Sequence, residues 1–312
     1  MRLIVVLFVA LLTSSECIQA QADSLENERL AKEIALSEVV VRSNMNVPAF
    51  LKMVKEDTSF YKAFKNLRIL GYTSINDIRM LDKKGNAVAS LYSKTTQIRK
   101  NGCRTMQVSE EKITGNLRNS DGEFNYYTPE LYASLFFTKG EICGENNIVG
   151  NKGFNPQSKG GMEKRKEQLK MLFFDPGKRI VGIPFMGGKS NIFSAKVSDL
   201  YAMDIDLQDY EGKSCYVFSM HPKTGLTKAE KSEIVYNNMV TWFDKKTMEI
   251  VRRTYDLSYR AGLYDFDVNI EVLLTHHNQM LVPQTLRYRG NWDVAFKKRE
   301  RGLFTATLYN FK

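Results

Sequence analysis

The chain has 312 residues, 43% of them hydrophobic and 11% aromatic, which suffices for one large buried core or two modest ones and excludes a low-complexity chain. Its net charge of +10 would point a cytoplasmic protein toward nucleic acid. In an exported protein the same charge meets anionic lipid head groups, acidic glycans or lipopolysaccharide phosphates, or serves only as a solubilising surface.

Export is what the N-terminus predicts. In "MRLIVVLFVALLTSSECIQAQADS", Arg2 supplies a positive start, Leu3 to Leu12 an apolar run, and Ala20-Gln21-Ala22 an A-x-A cleavage site. The run is shorter than the roughly 20 apolar residues a membrane-spanning helix needs. Residues 1–22 therefore read as a signal peptide, cleaved after Ala22, with residues 23–312 as the mature chain. Lipidation at Cys17 is the rival reading, disfavoured by Glu16 directly before it. Cleavage leaves three cysteines, Cys103, Cys143 and Cys215. Cys215 lies in the apolar strand "SCYVFSM", where a buried thiol is common. Cys103 and Cys143 lie beside glycines in turn-like surroundings and are the natural disulfide pair in an oxidising compartment.

Further along, "SLENERLAKEIALSEVVV" begins as a helix and turns β-branched at Val39 to Val41. Asn46-Val47-Pro48 is a helix start, and the spacing of Phe50, Val54, Phe60, Tyr61 and Phe64 predicts an amphipathic helix or a kinked pair. From Arg68 the period changes to two, with strands "RILGYTSINDIRMLD" and "AVASLYSKT" around the lysine-rich turn "KKGN". The stretch from Gly102 to Tyr127 reads as short polar strands and turns. Residues 128–205 differ: Thr128 as N-cap with Pro129 opens a helix. A Gly/Asn-rich loop then occupies residues 139–161, a basic helix "MEKRKEQLKMLFF" follows, and a short helix starts at Ser194. From Lys213 strands run to the end. The clearest is "YDFDVNIEVLL", where Tyr264, Phe266, Val268, Ile270 and Val272 point one way and Asp265, Asp267, Asn269 and Glu271 the other. Polar turns between these strands predict antiparallel pairing.

The segment "TWFDKKTMEIVRRTYD", with Trp242, Asp244, Thr247 and Arg252, resembles a hairpin of the periplasmic outer-membrane lipoprotein carrier (Lol-type) family and of related envelope-stress sensors. "DVNIEVLL", "LVPQTLRYRG" and "FTATLYNF" follow in a similar order. The chain also resembles secreted Bacteroidota proteins of the lipoprotein-sorting type. The resemblance implies a mainly β, α+β fold: a large, curved antiparallel sheet, an incomplete barrel closed by a few helices, with an apolar inside that receives acyl chains. The domain so implied spans 23–312, with a helical and loop insertion at about 128–205 that has no counterpart in the family.

Catalytic motifs are weak. His276 and His277 sit at a hairpin tip and His221 closes a strand, without the spacing of a metal site. "GIPFMGGKS" (182–190) misses the phosphate-loop spacing by one residue, and Pro184 removes an N–H from it. Asp204 with Asp206, and Asp265 with Asp267, each share a strand face as a hydrolase pair might, but they alternate with apolar residues as a solvated face does. The basic run "FKKRERG" (296–302) reads as an exposed hairpin able to meet an anionic head group. The leading expectation is a non-catalytic envelope protein without cofactor or metal. Its partners would be an acyl lipid or lipoprotein and an anionic outer-membrane surface, with no nucleic acid. Its lining residues would be Trp242, Tyr264, Phe266, Val268 and Ile270. The same residues could instead meet helices and leave no cavity. A filled core would favour a structural or sensing protein acting through the 139–161 loop, and facing carboxylates in a cleft would favour a hydrolase.

Overall fold

A computed structural model describes residues 24–149 apart from 43–44, and residues 174–312 apart from 175, 179–185, 187, 261–263 and 295–297. The expected signal peptide, all of the expected basic helix but Phe174, and most of the phosphate-loop-like stretch lie outside the described residues. In chain order the elements are α1 (24–33), β1 (Ala35–Leu36), α2 (Glu38–Arg42), α3 (Val47–Glu56), α4 (Ser59–Asn66), β2 (Tyr72–Leu81), β3 (Ala87–Lys100), β4 (Cys103–Gly115), α5 (Tyr127–Phe136) and β5 (Ile142–Cys143). The second half contains α6 (Ala195–Ser198), β6 (Tyr201–Tyr210), β7 (Lys213–Pro222), α7 (Lys228–Lys231), β8 (Tyr236–Asp244), β9 (Ile250–Arg260), β10 (Tyr264–His277), β11 (Met280–Val294) and β12 (Glu300–Tyr309).

All twelve described strands form one curved sheet that does not close into a barrel, in the order β1-β6-β7-β8-β9-β10-β11-β12-β2-β3-β4-β5. The pairing is antiparallel throughout except for the two-residue contact of β1 with β6, which is parallel. The join of β12 to β2 brings the C-terminal strands against the N-terminal ones, which no local pattern announces.

Local chemistry explains most boundaries. Asn46 Oδ1 accepts the Ala49 N–H at 3.1 Å and caps α3. α3 and α4 are the kinked pair, broken at Asp57–Thr58. In the β8–β9 turn Asp244 Oδ1 accepts the backbone N–H of Lys246 at 2.8 Å, so the Asp244 side chain shapes the turn. Gly85 closes the β2–β3 turn at φ +86°.

Other boundaries differ from the sequence-based expectation. Residues Arg68 to Leu70 form turns, and β2 starts at Tyr72. The β-branched run at Val39 to Val41 is helical in α2, where Val40 is buried against the core. The polar stretch after Gly102 is one continuous strand of 13 residues, β4, because β3 offers it a full-length antiparallel partner. α5 starts at Tyr127, and Thr128 is inside it. Its first N–H groups are capped by Glu300 from β12, whose carboxylate accepts Tyr127 N–H at 2.8 Å and Thr128 N–H at 3.1 Å.

One face of the sheet carries the core and the other is open. On β10, Phe266, Ile270 and Val272 are fully buried and Val268 is 3% exposed, while Asn269 between them is exposed. They share an apolar cluster with Phe50, Leu51 and Phe60 from the helices. Phe50 packs edge-on to Phe243 at 5.4 Å, and the buried Arg253 lays its guanidinium 4.5 Å above the Phe60 ring. Along β2 and β3 the core face also carries buried polar groups between its apolar ones: the Tyr132 hydroxyl donates to Asn76 Oδ1 at 2.5 Å, and Asn76 Nδ2 donates to Ser93 Oγ at 3.1 Å. Among the described residues no helix is long and apolar enough to cross a membrane.

Candidate functional site

The residues expected to line a cavity are divided by the sheet. Phe266, Val268 and Ile270 lie inside the packed core, and Phe266 touches Trp292 and Tyr259 with ring centroids 5.0 and 5.8 Å away. Tyr264 opens β10, and its side chain lies outside the described residues. Trp242 alternates with the buried Thr241 and Phe243 and so points to the open face. There the Arg252 guanidinium sits 4.5 Å from its ring centroid, ion-paired at 2.6 Å with Glu271, which also holds Arg287 at 2.6 Å. Trp242 is therefore separated from Phe266, Val268 and Ile270 by the thickness of the sheet.

The other candidates are also placed. Cys103 and Cys143 stand opposite each other in register on β4 and β5 and form a disulfide; Cys215 is free and buried. Burial pushes the Cys215 thiol up, away from the nucleophilic thiolate. The Glu141 carboxylate lies within 4.8 Å of the two bridged sulfurs, but sulfurs in a disulfide offer no thiolate to a metal. His276 meets Glu249 at 3.1 Å and His221 meets Asp204 at 3.6 Å, each a surface pair. Asp267 is held by Arg260 at 2.7 Å.

A cleft opens instead at one end of the sheet, with a volume of about 940 Å³. Met80, Leu81 and Val88 from the β2–β3 hairpin, with Phe124, Tyr126 and Tyr127 from the segment before α5, give it an apolar and aromatic floor. Lys83, Lys298, Arg299 and Arg301 line it with Asp82, Glu130 and Glu300. Both sides are braced. Asn119 Oδ1 accepts the N–H groups of Asp121 and Glu123, Arg118 stacks 4.0 Å over Phe124, and the Tyr126 hydroxyl donates to Asn116 Oδ1 at 2.8 Å. Glu300 is committed to the start of α5, and Arg299 is held by Asn291 at 2.9 Å. Among the described residues Lys83, Lys298 and Arg301 enter none of the ion pairs that tie Arg79, Arg260, Arg287 and Arg299 to carboxylates.

Such a cleft can hold an apolar body on its floor and an anion at its rim; volumes of this size are usual for small-molecule sites. Residues 298–301 come from the basic run marked in the sequence. The aromatic floor comes from "EFNYYTP", whose only local signal was three aromatic residues crowded between a turn and a helix start.

No family model matches the chain, and no curated protein matches it. Among solved structures, it is similar to a DUF1329 family protein from Desulfovibrio piger, at 12% identity over 83% of this chain and 91% of that one, with a TM-score of 0.27. It is also similar to an outer membrane lipoprotein-sorting protein domain from Vibrio parahaemolyticus, at 8% identity over 83% of this chain and 92% of the other, with a TM-score of 0.29.

Proposed function

We propose that this is a non-catalytic, exported cell-envelope protein that binds an acyl-bearing amphiphile, a lipid or lipoprotein, in the cleft at the β2–β3 end of the sheet. The observation that carries the reading is the pairing of an aromatic floor with three rim cations, Lys83, Lys298 and Arg301, that lack ion-pair partners among the described residues. An acyl chain against Leu81, Val88, Phe124 and Tyr126 would gain about 25 cal/mol per Å² of apolar surface removed from water. The anionic end would meet Lys83, Lys298 and Arg301. Binding beneath Phe266 and Ile270 would require the packed helices to leave the sheet, at a cost of several buried side chains of about 1.5–3 kcal/mol each. The leader-like N-terminus and the Cys103–Cys143 bridge both support an oxidising, extracytoplasmic location.

The test is native mass spectrometry of protein purified from its own envelope, followed by displacement with a fluorescent fatty acid. Acyl lipid or lipopeptide should accompany the parent protein. Val88→Glu, at an exposed strand position, should abolish uptake while the melting transition stays unchanged. A folded protein that is empty and indifferent to the fatty acid ends this reading.

A filled core supports a second reading, a structural or sensing protein that meets its partner through the 139–161 loop. The described part of that loop is fastened to the domain: Asn147 Nδ2 donates to Asn66 Oδ1 at 2.8 Å, Arg104 pairs with Glu145, and Ile148 next to them is 64% exposed. Residues 150–161 lie outside the described residues. This reading takes over if the lipid test fails.

A further inference from the structure

The β2–β3 turn separates that cleft from a second groove of about 770 Å³ on the open face of the sheet. Antiparallel register places four side chains together there. Asn269 on β10 stands opposite Arg289 on β11, and Asn291 on β11 stands opposite Arg301 on β12. Arg289 and Arg301 are thus diagonal neighbours on one face, a separation of about 7–8 Å between backbone positions that lets two long side chains reach one ligand. Lys83 and Lys84 close the groove from the turn.

The acids of the groove are already engaged. Asp82 Oδ1 accepts the Lys84 and Asn86 N–H groups of its own turn. Asp267 receives both of its hydrogen bonds from Arg260, and Asp256 accepts from Asn237 at 2.9 Å. Among the described residues neither Arg289 nor Arg301 has such a partner, unlike Arg79, Arg260 and Arg287 on the same face. Two diagonal guanidiniums that could each donate in a planar fork, the Asn269 and Asn291 amides beside them and two lysines at the edge match a compact dianion with several oxygens.

We infer that this open-face groove is a phosphate-binding site that adjoins the amphiphile cleft and shares Lys83 and Arg301 with it, with Arg289 and Arg301 as its principal donors. The chemistry is that of a phosphate group, whether free or on a lipid head group.

Titration calorimetry of the mature protein with inorganic phosphate, and flotation with phosphatidylcholine vesicles carrying phosphatidic acid, test it. Arg289→Gln should weaken phosphate binding about tenfold or more, the usual loss for a charged hydrogen bond, and Arg301→Gln should do the same. Binding of free phosphate lost in both variants supports the site with a soluble ligand. Vesicle binding lost in both assigns it to head groups. No saturable binding of either probe, or affinities unchanged in both variants, overturns it. Arg289 faces this groove and lies outside the cleft lining, so Arg289→Gln should keep fatty-acid uptake, and failure of one site is read separately from failure of the other.

Discussion

Thr128 Cγ2 stands 2.7 Å from the point that a Cβ on Gly302 would occupy. The first turn of α5 therefore rests directly on the backbone of β12, two residues from the glutamate that caps it. Gly302→Ala should push the helix start away and destabilise the protein by about 1–3 kcal/mol. Adding Thr128→Ser, which removes the clashing methyl, should restore part of the loss. Thermal unfolding of the single and double variants measures both, and a Gly302→Ala protein that melts like the parent contradicts the packing.

Glu271 is the carboxylate to follow with pH. Burial alone would raise its pKa, but hydrogen bonds and charge from Arg287 and Arg252 outweigh burial and hold it below the usual range. A carboxylate depressed in the folded state stabilises above its unfolded pKa of about 4.3, and that contribution is lost as pH falls through the folded value. Denaturant midpoints taken from neutral pH downward should fall more steeply below about pH 4.3 in the parent than in Glu271→Gln. Parallel curves for the two proteins would remove the ion-pair account.

The bridge between Cys103 and Cys143 closes a separation of 40 residues. The chain-entropy relation gives about 4 kcal/mol for a loop of that length. Replacing both cysteines by serine should lower the melting temperature accordingly. In the unreduced parent, Cys215 should react with a thiol reagent only after unfolding, because it is buried. Peptide mapping that finds Cys215 in a disulfide would refute the pairing.

The two faces of the sheet predict unequal costs for two large aromatic residues. Phe266→Ala empties a fully buried site and should cost about 3–5 kcal/mol. Trp242→Ala removes a half-buried ring and its contact with Arg252, a contact worth about 0.5–1 kcal/mol at exposed sites, and should cost clearly less. Equal losses in urea titrations would mean that Trp242 belongs to the core.

Export has its own measurement. Mass spectrometry of protein from the producing cell should find Asp23 as the first residue; an acylated Cys17 would overturn this.

Much of the fold was legible because its causes are local. Alternation in "YDFDVNIEVLL" assigns the faces of β10, since successive strand residues point oppositely whatever the partner. Asn46-Val47-Pro48 marks the start of α3, and Asp244 the β8–β9 turn, because each supplies its own hydrogen bonds or dihedral restraint. The pairing of Cys103 with Cys143 followed from turn-like neighbours and an apolar strand around Cys215. What the tertiary structure alone decided depends on residues far apart in the chain. Period two separates the sides of a strand but does not say whether the apolar side meets helices or a void, so Phe266 and Ile270 read equally well as lining or core until α3 and α4 were seen packed against the sheet. Trp242 read as a lining residue beside those of β10; its place on the open face is set by the parity of β8 relative to Phe243. The cleft and the groove both depend on β12 pairing with β2, which brings residues 80–88 beside residues 298–303. Closing so long a loop leaves no trace in local composition, and Glu300 caps a helix that starts 173 residues earlier only because that pairing delivers it.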